Sequence, residues 1–166
     1  MQVINFQPPQ KYRPDIMFTN KDEEIILIVD IKATKLVDVN SQNKNQIIVA
    51  QIQKYLRDIQ QHIPFAMLVN LEEINIFAFT NDYQIINEIS LKSNDIFSKY
   101  DSEFSDKIIF DFYLETLVKS WLRDLSYHWN SDTPPAHNEL AKIGLLPLLE
   151  GGYIYIQGTT GADTLY

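Results

Sequence analysis

The sequence predicts an α/β fold of the α+β kind, with a mixed central sheet flanked by helices and a helical C-terminal half. Between residues 13 and 80, short apolar β-branched runs alternate with a single stretch of helical period, whereas beyond residue 102 the apolar spacing is helical almost throughout. The composition agrees: 166 residues with 45% hydrophobic and 12% aromatic content and only five glycines suit one compact domain over 1–166, large enough to bury a core.

Residues 1–12 contain Pro8-Pro9 and no clear period, and read as an irregular lead-in. The runs 13–18 and 25–32, with Thr19-Asn20-Lys21-Asp22 as turn material between them, predict a β-hairpin. The second run is apolar on both faces as far as Asp30, the mark of a central strand covered on both sides. Residues 33–46 form a polar connection. From Ile47 the period becomes helical, with Ile48, Ile52, Tyr55 and Ile59 on one stripe, so a helix is expected over 43–61. Pro64 stops it, and 65–70 and 74–80 follow as two strands joined by Leu71-Glu72-Glu73. Residues 81–101 are polar, with one short strand at 85–91. Ser102 and Asp106 are read as opening a long helix whose stripe is Phe110, Leu114, Leu117, Trp121 and Leu125. The Asp132-Thr133-Pro134-Pro135 stretch breaks that helix, a shorter one covers 138–149, and 153–157 is a last strand before a frayed tail. On this reading 13–80 is a core unit and 102–150 a helical extension.

Charge is unevenly distributed. The net charge is −8, yet residues 1–70 carry eight Lys/Arg against seven Asp/Glu, and residues 71–166 carry six against fifteen. An acidic molecule does not cling to nucleic acid non-specifically, because that affinity comes from neutralised phosphates. A local basic rim of Arg13, Lys35, Lys44, Lys54 and Arg57 is the expected contact surface if DNA is bound. The absence of cysteine excludes disulfides, thiolate metal sites and cysteine nucleophiles, and accords with a cytoplasmic setting. The longest purely aliphatic run, Ile25 to Val29, is far below the roughly 20 residues that span a bilayer, so no membrane partner is expected.

The residues that carry chemistry lie in the hairpin. Side chains alternate across a strand, so Asp30 and Lys32 project from one face while Val29 and Ile31 point to the other. A hairpin turning near residue 22 or 23 places Asp15 roughly across from Asp30, at a cross-strand separation of about 4.5–5.5 Å. Two hard carboxylates beside a lysine suit Mg²⁺ or Mn²⁺, ions held by one or two carboxylates plus substrate phosphate. Such a site can activate water and neutralise charge on a phosphodiester.

Arg13-Pro14-Asp15, then Asp30-Ile31-Lys32, then a helix bearing Gln51 and Tyr55 four residues apart, resembles the PD-(D/E)xK, restriction endonuclease-like nuclease superfamily with its Q-x-x-x-Y motif. The arrangement is similar to the N-terminal nuclease domain of type I restriction motor subunits and to RecB-type exonuclease domains. The resemblance covers residues 13–80 in the order hairpin, helix, two strands. It implies metal ligation by Asp15, Asp30 and the backbone carbonyl of Ile31, with Lys32 as the catalytic lysine and Gln51 and Tyr55 supporting the site from the helix. The acid of the triplet is Asp30 where glutamate is common, and residues 1–12 hold no acidic residue to serve a second metal.

Each of these residues also has a plainer role. Asp30 and Lys32 alone would be an ion pair at a strand end, and Tyr55 lies on the apolar stripe as a core aromatic. His62, His128 and His137 lack metal-ligand spacing and belong at the surface or at helix ends. Trp121 and Trp129 are read as core, the glycines at 151, 152, 158 and 161 as turns, and the acidic 101–115 stretch as a solvated helix start. Two function classes follow. One is a metal-dependent nuclease acting on DNA in restriction, defence or repair. The other is a weakly active or inactive nuclease-fold scaffold that meets a protein partner through its acidic C-terminal half. A homodimer is compatible with either.

Overall fold

The computed structural model describes residues 12–34 and 41–155, apart from the side chains of 41–43. The lead-in up to residue 11, Lys35 and the tail from residue 156 lie outside the described residues.

The sheet has six strands: β1 (Ile16–Thr19), β2 (Ile25–Ile31), β3 (Phe65–Val69), β4 (Glu73–Phe79), β5 (Ile85–Lys92) and β6 (Tyr153–Tyr155), in the spatial order β5-β4-β3-β2-β1-β6. Strands β2 and β3 are parallel and every other pair is antiparallel, so the sheet is mixed. The parallel pair requires a crossover, supplied by helix α1 (Ser41–Ile59). The hairpin, the helix and the two strands after it occur in the expected order, although β1 begins at Ile16 instead of residue 13 and takes in Thr19, which the sequence reading gave to the turn.

The predicted hairpin turn forms through Asn20, whose side-chain oxygen accepts from the amides of Asp22 and Glu24 while Glu23 takes a positive φ of 68°. Helix α1 packs Val49, Ile52 and Leu56 on Ile28, Ala66, Leu68, Phe77 and Phe79 of the sheet, with Ile48 and Tyr55 flanking. Ile59 does not join this stripe. It lies in the last turn, where the chain leaves the sheet through Gln60 at φ 52°, and it is exposed.

The C-terminal helices cover the opposite sheet face: α2 (Ser93–Phe97), α3 (Asp111–Tyr127), α4 (His137–Ile143) and α5 (Leu146–Leu149). Their apolar residues, Trp121 and Leu125 among them, share one core with Val29, Ile31, Met67 and Ile76. Leu27, Val29 and Ile31 thus meet these helices while Ile28 meets α1, which explains why β2 reads as continuously apolar.

Several element boundaries differ from the sequence reading. Helix α3 starts at Asp111, not near Ser102. The Asp101 carboxylate accepts from the Glu103 amide, the Tyr113 hydroxyl and Lys107 Nζ, which closes a 3-10 turn at Phe104–Asp106 and leaves Lys107 and Phe110 extended. Phe110 therefore precedes the helix and is 72% exposed instead of filling its stripe. The 138–149 helix is split at Gly144, which ends α4 at φ 90°. Trp121 is fully buried as expected, whereas Trp129 lies past the helix end, half exposed, with its Nε1 donating to the Ser120 carbonyl. Helix α2 was not foreseen, nor was the pairing of β6 with β1 at the sheet edge.

Candidate functional site

Strand register brings the two carboxylates together. Ile16 stands opposite Val29, and the Asp15 amide also turns to the Val29 carbonyl, at 2.9 Å, so the ladder is irregular at its end; the Asp15 side chain there hydrogen-bonds that of Asp30. The Ile31 amide donates to Asp15 Oδ2 at 2.7 Å. One carboxylate oxygen of Asp15 thus takes the place of the next backbone acceptor, which pins the side chain at the end of the ladder. The same alternation turns the peptide group of Ile31 toward the β1 side.

Asp30 is buried, while Asp15 and Lys32 are exposed. Burial raises the Asp30 carboxyl from its ordinary 3.8 to about 6, reinforced by the Asp15 carboxylate that hydrogen-bonds and repels it; Lys32 and the Ile31 amide pull the other way. Asp30 therefore keeps its proton to a higher pH than an ordinary carboxyl does, beside the Asp15 carboxylate. A divalent cation would replace that proton, since the donors are all hard oxygens.

Tyrosines wall the site on the helix side. The ring of Tyr55 meets that of Tyr12 edge to face, with centroids 5.6 Å apart. Burial pushes the Tyr12 hydroxyl far up, with the Asp30 and Asp15 charges adding to the effect, and it keeps Tyr55 up as well. The Tyr12 hydroxyl is buried without a hydrogen-bond partner among the described residues. Gln51 is exposed one turn before Tyr55 on α1.

Asp15, Asp30, Lys32 and Tyr55 therefore gather around one end of the β1–β2 pair. Sequence reasoning missed two contributors. Tyr12 was assigned to the irregular lead-in, and no residue pattern marks it as a site wall. Asp111, at the start of α3, accepts from the Ala33 amide at 2.6 Å and ties the chain just after Lys32 to the C-terminal half. An acidic residue in a first helical turn reads as an ordinary dipole partner, so its bond across 78 positions has no sequence signal.

Among the described residues, no group of three or more His, Cys, Asp or Glu is placed to hold a metal, so the acidic donors at this site number two. No helix among them is long and apolar enough to cross a membrane. Neither the family models, nor the curated proteins, nor the solved structures compared with the chain include one that matches it.

Proposed function

We propose that this chain is a metal-dependent phosphodiesterase of the restriction endonuclease-like type that hydrolyses DNA. The observation that carries the reading is the meeting of the Asp15 and Asp30 carboxylates at the end of a buried strand pair, where the Ile31 amide holds Asp15, with Lys32 on the same face as Asp30. The order of hairpin, crossover helix and parallel strand is what the resembled superfamily requires around such a site.

The donor set fits Mg²⁺ or Mn²⁺, because such ions take one or two carboxylates and leave the remaining positions to water and phosphate. Asp15, Asp30 and the Ile31 carbonyl would hold the ion, which when bound supplies an activated water and charge neutralisation on the phosphate. Lys32, exposed at the mouth, brings a positive charge to the developing negative charge of the scissile phosphate and can orient the attacking water. Asp15, held by the Ile31 amide, keeps its orientation through turnover. Tyr12 and Tyr55 exclude water from the helix side, and Gln51 extends toward solvent where a substrate backbone would lie. Arg13, Lys44, Lys54 and Arg57 are all exposed and available to phosphates.

The test is cleavage of single- and double-stranded DNA by purified protein with Mg²⁺, Mn²⁺ or Ca²⁺. Cleavage is expected with the first two and not with Ca²⁺, whose looser coordination polarises water less. Lys32→Ala should lower turnover by at least about 100-fold while Mg²⁺ still raises the melting temperature, since lysine is no ligand. Asp30→Ala should lose both responses. A wild-type protein without divalent-dependent cleavage, yet with an intact Mg²⁺ thermal shift, would favour the scaffold reading. Cleavage that survives Lys32→Ala refutes the assignment.

A further inference from the structure

Strand β5 is an edge strand, and among the described residues nothing pairs with its outer side. It is eight residues long, contains no proline, and exposes Ile86 to 66%. Native edges are usually blunted by bulges, prolines or inward charges. Here the one irregularity lies near Ile85, where the pairing with Phe79 shifts, and residues 88–92 run in regular register against β4.

The hydrogen-bond parity of that open side can be read off. The Ser93 amide donates to the Glu72 carbonyl across the antiparallel ladder, so the odd residues 87, 89 and 91 turn their peptide groups toward β4. The even residues 88, 90 and 92 turn theirs outward. Consistent with this, the Glu88 amide finds only the neighbouring Asn87 side chain, at 2.9 Å. A strand added to this edge must meet even residues with its own outward-turned peptides. For a second copy of the same strand, that condition admits only registers whose two-fold axis passes through a residue.

The charges choose among these registers. With the axis at Glu88, like charges face each other; with the axis at Ile89, Ile86 faces Lys92 and Glu88 faces Ser90. With the axis at Ser90, Glu88 of each copy faces Lys92 of the other, twice, on one sheet face. On the opposite face Ile89 meets Leu91, twice, at the closer non-hydrogen-bonded positions. Glu88 and Lys92 are exposed and form no ion pair within the chain among the described residues. Half-buried Ile89 and Leu91 each gain an apolar neighbour.

We propose that β5 is a self-pairing edge: two copies of the chain join antiparallel through residues 88–92, with the axis at Ser90, into one continuous twelve-stranded sheet. The contact is isologous and closed, so it stops at a dimer. It is also short, and an interface at the small end of the range makes a weak, concentration-dependent dimer.

Sedimentation velocity of the full chain over a wide concentration range tests this. A reversible monomer–dimer equilibrium is expected. Lys92→Glu and Glu88→Lys, both at exposed positions, should each weaken association by roughly tenfold or more, because two attractive cross-strand pairs become repulsive. The double variant Glu88→Lys/Lys92→Glu should recover wild-type association, since both pairs re-form with signs exchanged. A monomer at every concentration, a dimer indifferent to the single reversals, or a double variant that stays weakened would each overturn the proposal.

Discussion

Asp30 contributes to stability with an unusual sign. Its carboxyl is raised by burial and by Asp15, so the folded state holds a proton that the unfolded chain releases near its ordinary value. Stability therefore falls as pH rises from about 4 through about 6, and the penalty is fully present above that window. Asp30→Asn removes the charge while its amide can still donate to Asp15, as protonated Asp30 does. The variant should unfold at the same temperature as wild type below about pH 4. It should be more stable by on the order of 1–3 kcal/mol at pH 7, as read by thermal denaturation across pH. Mg²⁺ should narrow the gap at pH 7 by stabilising only the wild type. A site that costs stability when its acids stand together is what functional positions commonly show.

The apolar stripes of the two long helices behave differently from one another. Leu56 on α1 is fully buried against the sheet face that also carries Asp30, so Leu56→Ala should cost about 2–5 kcal/mol in denaturant unfolding. Leu114, fully buried on α3, should cost a similar amount. Phe110, although on the same sequence stripe as Leu114, sits before the helix and faces solvent, so Phe110→Ala should change stability by no more than about 0.5 kcal/mol. Equal losses at positions 110 and 114 would contradict the placement of the helix start. The helical period was legible across both helices, and what the sequence did not disclose was where Asp101 would direct its hydrogen bonds.

At the scale of the whole molecule, the C-terminal half closes the sheet instead of standing beside it. Gly152 enters β6 so close to β1 that a Cβ there would collide with the Thr19 carbonyl oxygen and the Phe18 ring, while its own carbonyl accepts from the buried Ser126 hydroxyl at 2.6 Å. Gly152→Ala should therefore lower the melting temperature markedly and expose the β1 edge next to Asp15. Faster amide exchange at Met17 and Thr19, whose peptide groups turn toward β6, than at Ile28 or Met67 would be the measurable sign. Unchanged protection along β1 would mean that β6 contributes nothing to holding the strand that carries Asp15.

The sequence by itself determined the hairpin, the crossover helix and the two strands after it. It also determined that Asp15, Asp30 and Lys32 share an end of that hairpin. Those conclusions rest on short-range rules: the period of apolar residues, the turn chemistry of Thr19 to Asp22 and the alternation of side chains across a strand. The tertiary structure decided what depends on contacts far apart in the chain. Tyr12 became a wall of the site through Tyr55, 43 positions away, and Asp111 reached the end of β2 from the start of α3. Strands β5 and β6 became the two edges of one sheet. Local propensity makes a strand of each, but only the packed core, in which α2 to α5 share one apolar face with β1 to β4, fixes which neighbour it finds.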